Sequence, residues 1–591
     1  MVRNNIRVLL TTEGTYPFHQ GGVSTWCDTL VKKLPSVDFM IYSVLTDPFV
    51  TQKYKLPKSS GLIRMPLWGT EEPSEHLTVP FAQVYAAKRR TNEETVKAHF
   101  IPLFIQLIQE IVRPDKNPLR FSATLLDMYL YFQEYEYKNT FKSKAVWDEY
   151  KAFILNYSAD PRNHLAQPDV YGLTQSLGWI YRFLNIINTP IPKVEVTHAT
   201  AAAFCGIPCV IAKMKDKTPY LLTEHGVYLR EQYLSLSKRE YSSFLNTILV
   251  RFIHSITSMN YTMADQVSPV CEYNTRWEKT FGVPDHRLKV IHNGVDKLVF
   301  TEEAPPRNSH PTVVTIARID PNKDIISLIR SASVVRETVP DVRFIVYGSI
   351  AVPEYYEECL ELLKRLGLEE TFLFAGHTDN MTAAYASADV IALSSTSEAF
   401  PYSVVEAMMV SRPVIATDVG GVGEALGDAG ILVPPCNPKE MAKGIIRLIQ
   451  DPDLRLEMGR DARQRALSYF TLDKVLESYL KSYIMLSLGI DSERQAEKKA
   501  VPIPQKHVPS PAVTQRLYAN RAYALISVQL DREAIEQFRL AIRANPASPS
   551  VPVLYSEIAE AYNRLGNREL ALIELENMRK WLFRDKRHES A

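Results

Sequence analysis

Two series of short apolar runs, each run set off from the next by a turn or a longer stretch, dominate this chain. The first series falls at 6–10, 38–45, 194–197, 220–223, 266–270 and 289–291; the second falls at 312–317, 342–347, 372–374, 390–393, 414–417 and 431–433. Runs of four to eight apolar residues without polar alternation suit strands buried on both faces, and helix-length spacers are what parallel crossovers require. The two series are separated by Ala304-Pro305-Pro306-Arg307-Asn308-Ser309-His310-Pro311, which has three prolines and no apolar period. The expectation is an α/β chain with two Rossmann-like, doubly wound domains joined by a hinge. A ligand then lies between the carboxyl ends of the two sheets.

The remaining segments depart from that alternation. Between about 80 and 190 the period becomes helical, with Ile101, Leu103, Ile105, Leu107, Ile108 and Ile111, then Tyr129, Tyr131, Phe132, Tyr135 and Tyr137. This reads as a helical insertion in which the aromatic residues pack together, with stacking on an acceptor sugar as the alternative. The domains therefore divide as 1–303 and 304–490, with a final helix at about 470–488 free to cross back. Residues 491–513 form a second linker. In 514–591, Leu530-Asp531-Arg532-Glu533-Ala534 and Gly566-Asn567-Arg568-Glu569-Leu570-Ala571 resemble two tetratricopeptide units. Two units are fewer than a free-standing solenoid needs, so docking on the body, a partner or a second copy is expected.

Charge narrows the partners. The 68 Lys+Arg against 67 Asp+Glu leave a net charge of +1, so no global field favours nucleic acid. The closing basic residues from Arg579 to Arg587 suit a solvated helix end, with a peripheral contact to a membrane-bound complex as the alternative. Six cysteines, none in a Cys-x-x-Cys pair, suit a reducing compartment and small buried thiols rather than a zinc site. No run approaches the roughly 20 apolar residues of a membrane span, and a cytoplasmic location is expected.

Several segments carry candidate chemistry. The loop containing Gly21-Gly22 precedes a helix for which Ser24 is the expected cap, and paired glycines let the backbone approach a phosphate; a structural turn is the alternative. Arg318 and Lys323 lie just past a run at 312–317, where a planar fork and a mobile point charge can grip phosphate oxygens; two solvated charges in a turn are the alternative. Glu398 falls in the loop after 390–393, Ser403 is the expected cap of the next helix, and Glu406 lies within it. Two carboxylates so placed can hold opposite ends of one ligand, with backbone N–H groups between them. The Asp451-Pro452-Asp453 sequence reads as a turn between helices, so no metal is assigned.

These residues resemble a known family. Glu398-(seven residues)-Glu406 is similar to the Glu-x7-Glu motif of family 4 retaining glycosyltransferases of the GT-B fold. Val290-Ile291-His292-Asn293-Gly294-Val295-Asp296 is similar to their Val-Ile-Pro-Asn-Gly-Val-Asp signature, and Phe374-Ala375-Gly376-His377 and Asp418-Val419-Gly420-Gly421 also fit. Within that family, Glu13-Gly14-Thr15-Tyr16-Pro17, Gly21-Gly22-Val23-Ser24 and Thr223-Glu224-His225-Gly226 look like the PelF group of exopolysaccharide-synthesis enzymes. The resemblance spans about 1–485 and implies a hexosyltransferase acting without metal or other cofactor. Its donor would be a nucleoside diphosphate sugar, UDP-glucose foremost, and its acceptor a glycan.

The resemblance also implies roles. Arg318 and Lys323 would neutralise the leaving diphosphate, with Gly21 and Gly22 closing over it. Glu406 would bind the ribose, Glu398 would face the transferred sugar, and the backbone of Phe400, Pro401, Tyr402, Ser403 and Val404 would complete the phosphate cradle. Asn293 would line the site. Relatives carry His-x-His where this chain reads His198-Ala199-Thr200, so His198 either substitutes or packs in a loop. His225 is the stronger pocket candidate, with Glu224 and Arg230 beside it, and His377 would flank the base; a packed, hydrogen-bonded histidine is the alternative. Two rival functions keep the fold: a phosphorylase or epimerase, and a non-catalytic nucleotide-sugar scaffold that recruits partners through its terminal repeats.

Overall fold

A computed structural model of the chain describes residues 5–68, 80–303, 308–489, 531–548 and 550–582, with isolated positions between 515 and 526. The expected linker 491–513, residues 304–307 of the first linker, Leu530 and the basic residues from 584 to 587 lie outside the described residues. The chain forms two compact units, 1–495 and 496–591.

The larger unit holds two six-stranded parallel sheets. The first contains β1 (Ile6–Glu13), β2 (Val37–Leu45), β3 (Gly61–Pro66), β4 (Val196–Ala199), β5 (Tyr220–Glu224) and β6 (Gln266–Pro269), in the order β3-β2-β1-β4-β5-β6. The second contains β7 (Thr312–Ile316), β8 (Arg343–Tyr347), β9 (Phe372–Gly376), β10 (Val390–Leu393), β11 (Val414–Thr417) and β12 (Ile431–Val433), in the order β12-β11-β10-β7-β8-β9. Each order reverses direction once, between β1 and β4 and between β7 and β10. At such a point the loops on either side diverge and leave a crevice.

Strand pleating explains how one short sequence serves two cores. In β1 the residues alternate in direction: Leu9 joins a core with the helical insertion, whereas Val8 and Leu10 join a core on the opposite face. The insertion contributes Phe100, Phe104, Leu107, Phe121 and Tyr150 to the first core, so it is an extension of the first domain. Tyr129, Tyr131, Phe132 and Tyr137 are buried there and pack together; Tyr135 is partly buried and stacks on Tyr131.

The opposite face is covered by a helix from the far end of the unit. Helix Leu472–Ser487 places Val475, Tyr479 and Tyr483 against Val8, Trp26, Val196 and Leu221. The chain therefore passes between the domains twice. The two passages run side by side, with Val295 N–H donating to Phe470 O at 3.0 Å and Leu472 N–H donating to Val295 O at 2.9 Å. Gly294 has no room for a side chain at this crossing, because a Cβ there would stand 2.6 Å from Val475 and 2.9 Å from the Thr471 carbonyl.

One strand is added and three local expectations need correction. Residues 61–66, outside the two series of apolar runs, form edge strand β3, pairing with β2 from Met40↔Gly61 to Leu45↔Pro66. Residues 289–291 are not a ladder strand; Lys289 and Ile291 donate to the carbonyls of Val267 and Pro269 as an extended tail beside β6. Ser24 and Ser403 cap nothing. Their helices begin earlier, at Gly22 and Tyr402, with Gly21 and Pro401 in the cap positions and no side-chain cap.

The smaller unit contains helices Asp531–Ala544, Val551–Arg564 and Arg568–Leu582. Phe538, Ile535, Leu554 and Ile558 form its core, and Trp581 Nε1 donates to Pro546 O at 2.9 Å.

Candidate active site

The carboxyl ends of both sheets open on one cleft of about 1590 Å³. Its second-domain side is built by the loops after β7 and β10, the strands flanking the switch point. Asp320 N-caps the turn Pro321–Lys323, accepting from Asn322 N–H at 2.9 Å. Asn322 then ties that turn to the neighbouring loop, donating from Nδ2 to Ser397 O at 2.9 Å and accepting at its carbonyl from Thr396 N–H at 2.8 Å. Ser394 Oγ donates to Lys323 O at 2.8 Å.

This stitching sets Lys323 on Glu398, with Nζ 2.5 Å from Oε1, and Ser395 Oγ donates to the same oxygen at 2.6 Å. Both charged side chains are largely withdrawn from water, at 18% and 11% exposure. Arg318 lies more open, at 69% exposure, and contacts Asp320 at 3.4 Å. Two cations and one carboxylate thus face the cleft within a single pair of adjacent loops.

The loop bearing Glu398 is fixed from below. Gly421 N–H donates to Ala399 O at 2.8 Å, and a Cβ on Gly420, whose φ is +58°, would stand 1.6 Å from the Glu398 carbonyl oxygen. Glycine is required there both by the left-handed backbone and by the close approach of two main chains.

Two helices direct uncapped amino ends at the cleft, one from each domain. Some helices of the larger unit take side-chain caps, from Asp169, Ser242, Asp324 and Asn437, and others, such as Pro353–Leu366 and Leu472–Ser487, take none. The helices Gly22–Lys33 and Tyr402–Met409 are among those without a side-chain cap, and because their amino ends face the cleft their first N–H groups remain available to an anionic ligand. A Cβ on Gly21 would meet nothing within 4 Å, and one on Gly22 would touch only the Tyr402 ring at 3.7 Å.

Of the residues expected from sequence, Gly21, Gly22, His225 and Asn293 line the first-domain side and the hinge. Arg318, Lys323, Glu398, Phe400, Pro401, Tyr402 and Ser403 line the other. His225 Nε2 is buried with no hydrogen-bond partner among the described residues, and so is Asn293 Oδ1. Asn293 spends its amide on Phe400 O at 3.1 Å. Two orphaned polar atoms on cleft-lining residues mark a surface that expects polar groups. Burial pulls the His225 imidazole down to about 3, so near neutral pH it is uncharged, with its ring edge-on to Trp26 at 4.6 Å.

Five expected residues do not line the cleft. His198 is fully buried, its Nδ1 paired with Tyr483 Oη and its Nε2 with Thr223 Oγ1, both at 2.8 Å. The crossing helix covers it, so it packs rather than substitutes for a sugar contact. Glu224 is buried behind the site, accepting from the Tyr261 hydroxyl; burial and neighbouring Glu278 push its carboxyl well above the ordinary value. His377 points outward at 65% exposure, near Asp379. Val404 turns into the second-domain core. Glu406 lies one turn along its helix, accepting from Tyr385 Oη at 2.6 Å, and burial pushes it up to about 7.

The structure also adds residues. Arg230, previously only a neighbour of His225, donates from Nη1 to Ser397 Oγ at 2.9 Å and so spans the two domains. Tyr273, Arg276 and Trp277 line the first-domain side just after β6. The sequence offers only a common signal, an arginine between two aromatics past a strand. Among the described residues no group of three or more His, Cys, Asp or Glu could hold a metal ion, and no helix is long and apolar enough to cross a membrane.

Residues 296–465 match the family model of glycosyl transferases group 1, and residues 6–286 match that of a domain of unknown function, DUF3492. Trehalose synthase of Pyrococcus horikoshii is 28% identical over 266 residues, covering 43% of this chain. The match spans 62% of that relative's length, less than two thirds of it. Among solved structures, sucrose-phosphate synthase from Thermosynechococcus elongatus superposes with a TM-score of 0.53 at 16% identity, over 82% of this chain and 100% of that one. Anabaena HepE in complex with UDP gives a TM-score of 0.51 at 16% identity, over 81% of this chain and 99% of that one. The chain thus has the GT-B fold, and its second domain matches the glycosyl transferases group 1 family.

Proposed function

We propose that the protein is a retaining glycosyltransferase that moves a hexose, glucose foremost, from UDP-glucose to a glycan hydroxyl in polysaccharide synthesis, in the manner of the PelF group. The observation that carries this reading is the placement of Arg318 and the Lys323–Glu398 pair at the β7/β10 switch point, opposite the uncapped helix behind Gly21-Gly22. A nucleoside diphosphate needs cations and free N–H groups at its phosphates, and a glycosyl group needs a carboxylate nearby. The cleft supplies all three.

In this reading the acceptor oxygen attacks C1 of the sugar on the face from which the diphosphate departs. The C1–O bond to the β-phosphate breaks, the new C1–O bond forms, and the departing phosphate oxygen takes the acceptor proton. Lys323, released from Glu398 by the incoming anion, and Arg318 stabilise the charge that accumulates on the diphosphate. Such preorganised donors typically contribute 10²–10³-fold each. Glu398 then faces the positive charge developing at C1, and neutral His225 offers Nε2 to a sugar hydroxyl. Glu406, held behind the cleft by Tyr385 Oη, releases that hydroxyl as the donor binds and takes the ribose hydroxyls. With two side-chain cations and two helix ends at the phosphates, we propose that no metal is required.

The reading extends to setting. Six free cysteines, five of them buried, support a reducing, cytoplasmic location. The exposed Leu572 and Ile573 of the terminal unit support recruitment of a protein partner or a second copy. Following UDP release from UDP-glucose by purified protein tests the central claim. Steady turnover that falls about 10²–10³-fold in Glu398→Gln, with UDP affinity retained, is the expected result. Binding without turnover in the presence of acceptor glycans would favour a nucleotide-sugar scaffold, and turnover indifferent to Glu398 would end the proposal.

A further inference from the structure

The first-domain side of the cleft carries more positive charge than a nucleotide sugar uses. Resting on the transferase reading above, we infer that this wall, formed by Arg230, Lys238, Arg239 and Arg276 with Tyr273 and Trp277, receives an acceptor sugar that bears an anionic group, a carboxylate or a phosphate.

Charge balance comes first. The whole chain carries only +1, yet four cations line one wall, and among the described residues none of the four forms an ion pair. The wall's one carboxylate, Glu231, is turned back on the main chain: a Cβ on Gly226 would stand 2.2 Å from its Oε1. Arg276 forgoes Glu272, four positions earlier on the same turn. Its guanidinium lies 3.8 Å from the centre of the Tyr273 ring and 5.7 Å from that of Trp277. Stacking of this kind holds the planar fork while leaving its N–H edge free for two oxygens of a carboxylate or phosphate.

Helix physics gives the second argument. Arg230 falls in the first turn of helix Tyr228–Leu236, where a cation opposes the helix dipole. Helix stability does not account for it there: it feels the neighbouring Glu231 carboxylate without forming an ion pair with it, and its Nη1 contact with Ser397 is to a neutral hydroxyl. The third argument is position. The donor phosphates have their own cations, Arg318 and Lys323, on the opposite domain, so the first-domain cations remain for the second substrate. Tyr273, 43% exposed, and Trp277 add ring faces on which a pyranose can lie.

Calorimetric titration of the full-length protein with UDP present tests this with three probes: a hyaluronan tetrasaccharide, glucose 6-phosphate and neutral maltotetraose. One of the two charged probes should bind at least about tenfold more tightly than maltotetraose and weaken as salt rises from about 50 to 300 mM. Which one binds distinguishes carboxylate from phosphate. In Arg276→Ala that affinity should fall about tenfold while UDP affinity stays within about twofold, and Arg276→Lys should recover part of it. Retained UDP affinity also certifies that the variant is folded; were it to unfold, Lys238→Ala with Arg239→Ala makes the same measurement. Equal binding of all three probes, binding of none, or a loss of UDP affinity matching the loss of probe affinity would overturn the inference. Failure of the wild-type protein to bind or turn over UDP-glucose would count against the transferase reading instead.

Discussion

Replacing Gly420 by alanine probes whether the loop carrying Glu398 is held as rigidly as its contacts require. The added Cβ would stand 1.6 Å from the Glu398 carbonyl oxygen and 2.7 Å from its carbon, whereas real contacts begin near 3.0 Å. The oxygen must therefore retreat by about 1.4 Å, and the obstacle is main chain, which has no rotamer to escape into. Alanine also has to adopt φ +58°. Left-handed strain costs roughly 1 kcal/mol or more, and forcing a packed contact costs about 1–3 kcal/mol more. For a unit of nearly 500 residues, that total lowers Tm by only about 2–4 °C.

Activity is the more sensitive readout. Misplacing a reacting group by about 1 Å costs roughly 10²-fold, so Gly420→Ala should reduce the rate of UDP release at least that much. Gly21→Ala is the matched control: its backbone is extended and its Cβ meets nothing within 4 Å, so Tm should not move and only the donor KM should rise. Scanning fluorimetry and coupled UDP detection on both variants suffice. Wild-type Tm and turnover in Gly420→Ala would refute the claim that the two main chains fix Glu398.

Three further outcomes follow from named contacts. Glu406 binds its proton more tightly folded than unfolded, so ionisation works against the folded state as pH rises from about 4.5 to about 7 and is constant above. Glu406→Gln should therefore stabilise the protein at pH 7.5, by on the order of 3 kcal/mol at most and seen as a higher Tm, with no gain at pH 4; equal Tm differences at both would refute the burial argument. His198→Ala strands Tyr483 Oη, leaves Thr223 Oγ1 only its 3.2 Å contact with Tyr479 Oη and opens a void, so urea denaturation should show a loss of about 2–4 kcal/mol with kcat changed less than about threefold; a hundredfold fall in kcat at unchanged stability would return His198 to the sugar site. Lys323→Ala should lose about 10²–10³-fold in turnover and, by leaving Glu398 without its cation, destabilise the protein more than Lys323→Ala combined with Glu398→Gln; simple additivity of the two changes in melting would show the pair is uncoupled.

How much of this was visible in the sequence depended on how local the determining contacts are. The central strands were legible because both their faces are buried and their residues form near-continuous apolar runs, as in Val390–Leu393 and Val414–Thr417. Edge strand Gly61–Pro66 escaped notice because it begins with glycine, ends with proline and carries an exposed Arg64, all features of a connection. Ser24 and Ser403 misled for a related reason. A capping oxygen is expected where a helix must satisfy its own amino end, and these two helices leave theirs open to the cleft.

The site divides along the same line. Arg318, Lys323 and Glu398 sit on loops after β7 and β10, strands that are hydrogen-bonded neighbours, so motif order along the chain placed them together without long-range help. The first-domain wall had no such shortcut. His198 and Glu224 end strands that point at the cleft, and only the crossing helix, which brings Tyr479 and Tyr483 from more than 250 positions away, determines that His198 is covered. Arg276 was equally ambiguous, because a short helix with an exposed arginine is commonplace until Tyr273 is seen beneath its guanidinium. The grouping of the proposed donor residues was therefore readable from spacing, whereas the proposed acceptor wall rests on which side chains distant segments leave uncovered. Substitutions that relax the crossing helix, such as Tyr479→Ala, should accordingly disturb His198 and His225 through Trp26 while leaving the Lys323–Glu398 pair intact.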